Sequence, residues 1–243
     1  MIQTIGRWLD YLSYVFQSSN RHGIHSPFVY SFTDSILYKQ NEPIESIEYQ
    51  RTQMIQSKSK FFDGNLSQFT DEFTLNSKYT CLLYRISKAY KFTHIREWGL
   101  STGIETNYIL YPLLVESKIP VKYEYRYKSK NQVKRFTNEN LIYNYQGEIE
   151  GENWSENNER INLELINFTK SLDEVWQAID EIKTTYNENT VILITNIRHT
   201  DNHYLTWRQI SNLKEFSVSI ELFRLGILYF RSGQVKEHFT IRY

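Results

Sequence analysis

The segment REWGLSTGIET, Arg96 to Thr106, gathers Glu97, Gly99, Ser101 and Gly103 within seven residues. It ends a run, THIREWG, that reads as a strand, and leads into IETNYILYPLLVE, which reads as a helix. Glycines in such a turn permit sharp curvature and close approach of a ligand. Ser101 can donate a hydrogen bond, and a helix beginning near Ile104 offers N–H groups that lack intrahelical partners. A carboxylate at the strand end suits a cation or an amine. S-adenosylmethionine, with its sulfonium and its amino-acid end, has that character. A pyrophosphate does not, because Glu97 repels it and the G-x-G-x-x-G spacing is absent. The same pattern also serves as a plain glycine turn between strand and helix, and spacing leaves both readings open.

Other residues with chemistry to offer are scattered. His22 and His25 have a spacing a metal pair could use, but no cysteine or carboxylate cluster accompanies them, so a structural role is expected. His199, Asp201 and His203 in RHTDNH follow the apolar run TVILITNI, where a catalytic base would lie. TDN is equally ordinary loop chemistry. Trp98 is expected to pack on the sheet face, and Cys81 to be buried on its helix and unreactive.

Bulk composition gives several function classes no support. Lysine plus arginine number 28 and aspartate plus glutamate 28, so no net field draws the chain toward nucleic acid or an anionic membrane. A lone cysteine rules out an intrachain disulfide, and a reducing cytoplasm is the expected compartment. No apolar run reaches the about 18 residues a membrane span requires, and MIQTIGRWLDYLSYVF lacks the basic start and small-residue cleavage site of a signal peptide. Its apolar positions, Ile2, Ile5, Trp8, Leu9, Leu12, Val15 and Phe16, form a helical stripe. Packing on the protein itself is favoured over a membrane surface, because the polar face carries little lysine or arginine.

These residues need elements to position them. Residues 1–75 read as a helical N-terminal segment and 76–243 as a sheet domain. Ser26 is expected to cap a helix whose first position is Pro27, with Phe28, Phe32, Ile36 and Leu37 on one face; PIESIEYQRTQMIQSK reads as a polar helix and Asp63-Gly64 as a turn. Thereafter KYTCLLYRISKAYKF (helix), THIREWG (strand), IETNYILYPLLVE (helix), VKYEYRY (strand), NQVKRFTNENL (helix), INLELINF (strand), SLDEVWQAIDEIKTTY (helix) and TVILITNI (strand) alternate. The last is apolar throughout, as a strand buried on both faces of a parallel sheet should be. Alternation implies a doubly wound α/β sheet. FSVSIELFRLGILYFR then reads as two antiparallel strands turning around Arg224 to Gly226.

The chain resembles a group of bacterial class I S-adenosylmethionine-dependent methyltransferases. Their members open with HGIHSPFVY or HGVHSPFVY, carry an ELGTSLGIxT-like loop and close with GLVFFRKEQxKEHFxIR. The counterparts here are HGIHSPFVY at His22 to Tyr30, EWGLSTGIET at Glu97 to Thr106 and GILYFRSGQVKEHFTIR at Gly226 to Arg242, and KYTCLLYRI is similar to the helix before the family's first strand. The resemblance implies a Rossmann-like class I methyltransferase sheet ending in an antiparallel hairpin, with a helical N-terminal segment. It implies S-adenosylmethionine as cofactor, held by Glu97, Gly99, Ser101 and Gly103.

Several positions depart from that family. Where it places an acidic residue after the second strand, to hold ribose hydroxyls, the ungapped match gives Tyr127, with Glu124 out of place. An IDGNH-like segment becomes INFTK, Ile166 to Lys170; DDI becomes TNI, Thr195 to Ile197; and DFGAGS shortens to DGNLS, Asp63 to Ser67. In related metal-dependent O-methyltransferases, acidic residues at two of these strand ends bind magnesium. Neutral Asn167 and Thr195 stand there now, and Asn196 alone does not hold a hard dication, so no metal is expected. Two functions follow as expectations: methyl transfer to an unknown acceptor, or a catalytically degenerate fold acting as a binding or scaffold protein. A nucleotide-dependent oxidoreductase fits neither the phosphate loop nor the terminal hairpin.

Overall fold

A computed structural model describes residues 2–20, 23–39, 45–56, 76–99, 101, 103–119, 121–126, 136–138, 141–143, 160–168 and 172–243. Its centre is a seven-stranded mixed sheet, mostly parallel, flanked by helices. The strands are β1 (His94–Trp98), β2 (Lys122–Arg126), β5 (Asn162–Ile166), β6 (Thr190–Thr195), β7 (Val218–Glu221), β8 (Leu225–Tyr229) and β9 (Glu237–Thr240), in the spatial order β2-β1-β5-β6-β8-β7-β9. β2, β1, β5 and β6 run parallel. β8 is antiparallel to both β6 and β7, and β9 pairs parallel with β7. Two short strands, β3 (Phe136–Asn138) and β4 (Leu141–Tyr143), pair antiparallel apart from the main sheet.

Seven α-helices occur among the described residues: α1 (Ile2–Gln17), α2 (Pro27–Phe32), α3 (Glu45–Gln56), α4 (Ser77–Tyr90), α5 (Ile104–Tyr111), α6 (Leu172–Thr185) and α7 (Asp201–Ser211). Wider turns extend α2 over Thr33–Leu37 and α5 over Pro112–Glu116. Alternating side chains of the strands feed two cores. Ile95, Tyr123, Leu163, Leu165, Val191 and Leu193 join α2, α4 and α5 on one face. Ile166, Ile192 and Ile194 join α6 and α7 on the other. The helices that follow β1 and β5 therefore lie on opposite faces, and these neighbouring strands mark the point where the sheet's winding reverses.

Local signals explain most boundaries. Asn76 caps α4 by accepting from Lys78 N–H at 3.0 Å, and Lys91, left-handed at φ 55°, closes it. α1 is tied to the far end of the chain: the Tyr14 hydroxyl donates to Ile241 O, Arg242 Nη2 donates to Val15 O at 2.7 Å, and Ser19 bridges Ile241. No helix among the described residues is long and apolar enough to cross a membrane.

The structure corrects several expectations. NQVKRFTNENL is not a helix where it is described: Phe136–Asn138 is a strand, because Phe136 and Thr137 pair with the β-forming Tyr143 and Ile142. Ser26 stands at the start of α2 in extended backbone, but its side chain makes no capping bond; its hydroxyl instead accepts from Gln234 at 3.4 Å. TDN is not loop: Thr200 accepts from His203 N–H and starts α7 at Asp201. Gly226 lies inside β8 rather than in the turn, where a Cβ would meet the Trp207 ring at 2.3 Å. The hairpin is also not the last element, since β9 follows it. Asp63-Gly64 and the DGNLS segment lie outside the described residues.

Candidate functional site

The loop after β1 lies at the carboxyl edge of the sheet, at the winding reversal, where open α/β sheets bind ligands. It brings Glu97, Gly99, Ser101 and Gly103 together. Gly99 and Gly103 take positive φ, 84° and 78°. A Cβ on Gly99 would lie 2.6 Å from Asn167 O, so the loops after β1 and β5 touch backbone to backbone. Asn167 N–H donates to Trp98 O at 2.9 Å and Gly99 N–H to Arg126 O at 3.0 Å, carrying the ladder one step past the strand ends. Ser101 is buried; its Oγ accepts from Gly103 N–H at 3.0 Å, and its N–H donates to the Tyr125 hydroxyl at 3.4 Å.

Glu97 is wholly buried. Its carboxylate accepts from Tyr123 Oη at 2.5 Å, Thr106 Oγ1 at 2.6 Å and Asn167 Nδ2 at 2.7 Å. All three donors are neutral. The other two glutamates buried in the strands are treated differently. Glu164 accepts from Arg96 Nε at 2.8 Å and Trp98 Nε1 at 2.7 Å. Burial pushes its carboxyl up to about 7 against the pull of Arg96. Glu221 pairs with Arg198 and accepts from Trp207 Nε1 at 2.9 Å. Burial opposes its ionisation, yet His238 and Arg198 hold its carboxyl below the usual range. Glu164 and Glu221 each have an arginine; among the described residues Glu97 has no cation. A buried carboxylate without a counter-charge is costly unless it is hydrogen-bonded, and the three donors offset part of that cost.

The same edge holds a cavity of about 510 Å³, beyond β6 and beneath α1. Asn196, left-handed at φ 56°, and Arg198 enter it from the end of β6, and Phe223 and Arg224 from the β7–β8 turn. Lys78 and Tyr79 reach it from the start of α4, and Tyr243 from the chain end. His199 lines it and is exposed, whereas His203 is buried, with Nδ1 2.6 Å from Thr200 Oγ1 and its ring 4.4 Å from that of Phe168. Within RHTDNH the two imidazoles meet edge-on at 5.4 Å between centroids; His203 is buried at the helix start and His199 lines the cavity.

Of the remaining candidates, His25 is exposed, and His22 and Tyr127 lie outside the described residues. Glu124 pairs with Arg126. Asn167 turns inward to Glu97, and Thr195 Oγ1 accepts from Phe168 N–H at 3.3 Å. Trp98 packs in the second core and Cys81 in the first, where burial pushes the thiol up to about 11. Among the described residues no group of three His, Cys, Asp or Glu side chains could hold a metal ion. Sequence reasoning missed Thr106 and Tyr123 as partners of Glu97. Thr106 lies nine residues on, and Tyr123 owes its place to the β1–β2 register, which pairs it with Ile95. Comparison with protein families, curated proteins and solved structures finds no match to this chain.

Proposed function

We propose that the chain is an S-adenosylmethionine-dependent methyltransferase-like protein with a Rossmann-like class I sheet, acting on an acceptor that enters from the carboxyl edge. The observation that carries this reading is Glu97: a buried carboxylate held by three neutral donors, with no cation among the described residues, at the winding reversal. Support also comes from the strand order, in which the single reversed strand β8 lies between β6 and β7. The cofactor, when bound, supplies an electrophilic methyl group on a positively charged sulfur. Glu97 would meet its ammonium, with Thr106, Tyr123 and Asn167 fixing the carboxylate's orientation. Gly103, at positive φ, lets the loop turn into α5, while Gly99 leaves room for the Asn167 carbonyl. Holding donor and acceptor in line is the main catalytic contribution asked of the chain.

Isothermal titration with S-adenosylmethionine, and with its demethylated product, tests this. Heat of binding and a raised melting temperature are expected. Glu97→Gln should weaken binding about tenfold or more, as loss of a charged hydrogen bond does. No heat and no thermal shift with the wild-type chain would end the proposal.

A second reading, a catalytically silent fold that binds or scaffolds, is favoured by one specific observation. Glu97 has no exposed surface, and Asn167 O stands where a side chain on Gly99 would go. The neutral residues Asn167 and Thr195 fit that reading too. Cofactor binding without turnover over a panel of catechol, carboxylate and protein acceptors would select it.

A further inference from the structure

The cavity beyond β6 has a composition unlike that of a solvent crevice. Its described lining includes five aromatic residues, Trp8, Tyr11, Tyr79, Phe223 and Tyr243, and three cationic ones, Lys78, Arg198 and Arg224, against one carboxylate, Asp10. That carboxylate is already committed to Arg198, which Glu221 also holds. Arg198 is thus neutralised and forms part of the wall. Lys78 has no carboxylate partner among the described residues; its ammonium lies 4.1 Å from the Tyr243 ring centroid.

The walls are set before any ligand arrives. Tyr11 meets Phe223 edge-on at 5.1 Å between centroids, and Tyr79 meets Tyr243 at 5.3 Å. The Tyr79 hydroxyl accepts from Arg224 N–H at 3.3 Å, fixing the β7–β8 turn over the opening. Rings held by one another lose little freedom on binding, and a volume of about 510 Å³ falls within the range of small-molecule sites.

We infer that this cavity is a binding site for a planar aromatic carboxylate, with the rings enclosing its aromatic face and Lys78 meeting its charge. Two strand steps of about 4.8 Å separate the ends of β1 and β6 across the sheet. The cavity opens at the same carboxyl edge as the loop after β1, and that its occupant is the acceptor of the proposed methyl transfer is the one clause that rests on the proposed function.

Titration of the full chain with 2-naphthoate, 2-naphthalenemethanol and a saturated decalin carboxylate provides the test. Naphthoate should bind about tenfold or more tightly than either the neutral alcohol, which lacks the charge, or the decalin acid, which lacks the flat ring. Lys78→Met should weaken naphthoate severalfold and leave the alcohol unaffected, with Lys78→Arg restoring much of the loss and melting temperatures confirming intact folds. Equal affinity for the three probes, no binding at millimolar concentration, or naphthoate binding untouched by Lys78→Met would overturn the inference. Naphthoate binding without S-adenosylmethionine binding keeps the cavity and removes the methyl donor; the converse removes the cavity and keeps the donor.

Discussion

Glu97, Glu164 and Glu221 are one residue type in three electrostatic settings within a single sheet, and each setting has a measurable signature. Glu164, pushed up to about 7 from an ordinary 4.5, binds a proton in the folded state that the unfolded chain has released between those values. Its contribution is therefore fully present below about 4.5 and is lost as pH rises through about 7. The cost corresponds to about 3 kcal/mol. Urea unfolding at pH 5 and pH 8 should show the wild-type chain losing more stability over that interval than Glu164→Gln, with the difference between the two proteins isolating this carboxyl. Equal losses would show that Arg96 holds it ionised throughout. At Gly99, the positive φ and the Asn167 carbonyl at 2.6 Å act together. Gly99→Ala should lower the unfolding free energy by about 1–3 kcal/mol, and an unchanged denaturation midpoint would mean the two loops stand further apart.

The elements show where a chain of residues announces its structure and where it does not. TVILITNI declared itself because a strand buried on both faces needs no alternation, and the glycine-bearing turn after β1 fell between a readable strand and a readable helix. Thr200 is a cap signal hidden in a polar stretch, which conceals α7 in the sequence. β9 lies at the sheet edge with only four residues, too few to establish a period. Glu97 and its glycines were legible because they are contiguous. The cavity was not, because its walls come from both chain ends and from turns between them. α1 offers a test at this scale. Asp10 joins it to Arg198, but Arg198 keeps Glu221 when Asp10 is lost. Asp10→Asn should thus cost about 0–1 kcal/mol, as partly exposed pairs do, whereas Glu221→Gln leaves the buried Arg198 guanidinium only its half-exposed partner Asp10 and should cost about 3–5 kcal/mol. Chemical denaturation of both variants measures the contrast, and equal costs would refute it.

Across the whole molecule, the sheet orders stability from its middle outward. β5 and β6 have paired neighbours on both sides and are buried along most of their length, while β2 and β9 are the outer strands. Native-state hydrogen exchange should find the slowest amides in Leu163–Ile166 and Val191–Ile194 and much faster ones in β2 and β9. Comparable rates in centre and edge would contradict that ordering. The reversed strand β8 has a further effect. Because it starts at the edge where the parallel strands finish, the short link Leu222, Phe223, Arg224 rises beside the cavity without a crossover helix behind it. Leu222 is anchored in the core, but the identities of Phe223 and Arg224 can change with the framework left standing. A lineage carrying this architecture has there a place to retune its choice of small molecule, one short turn at a time.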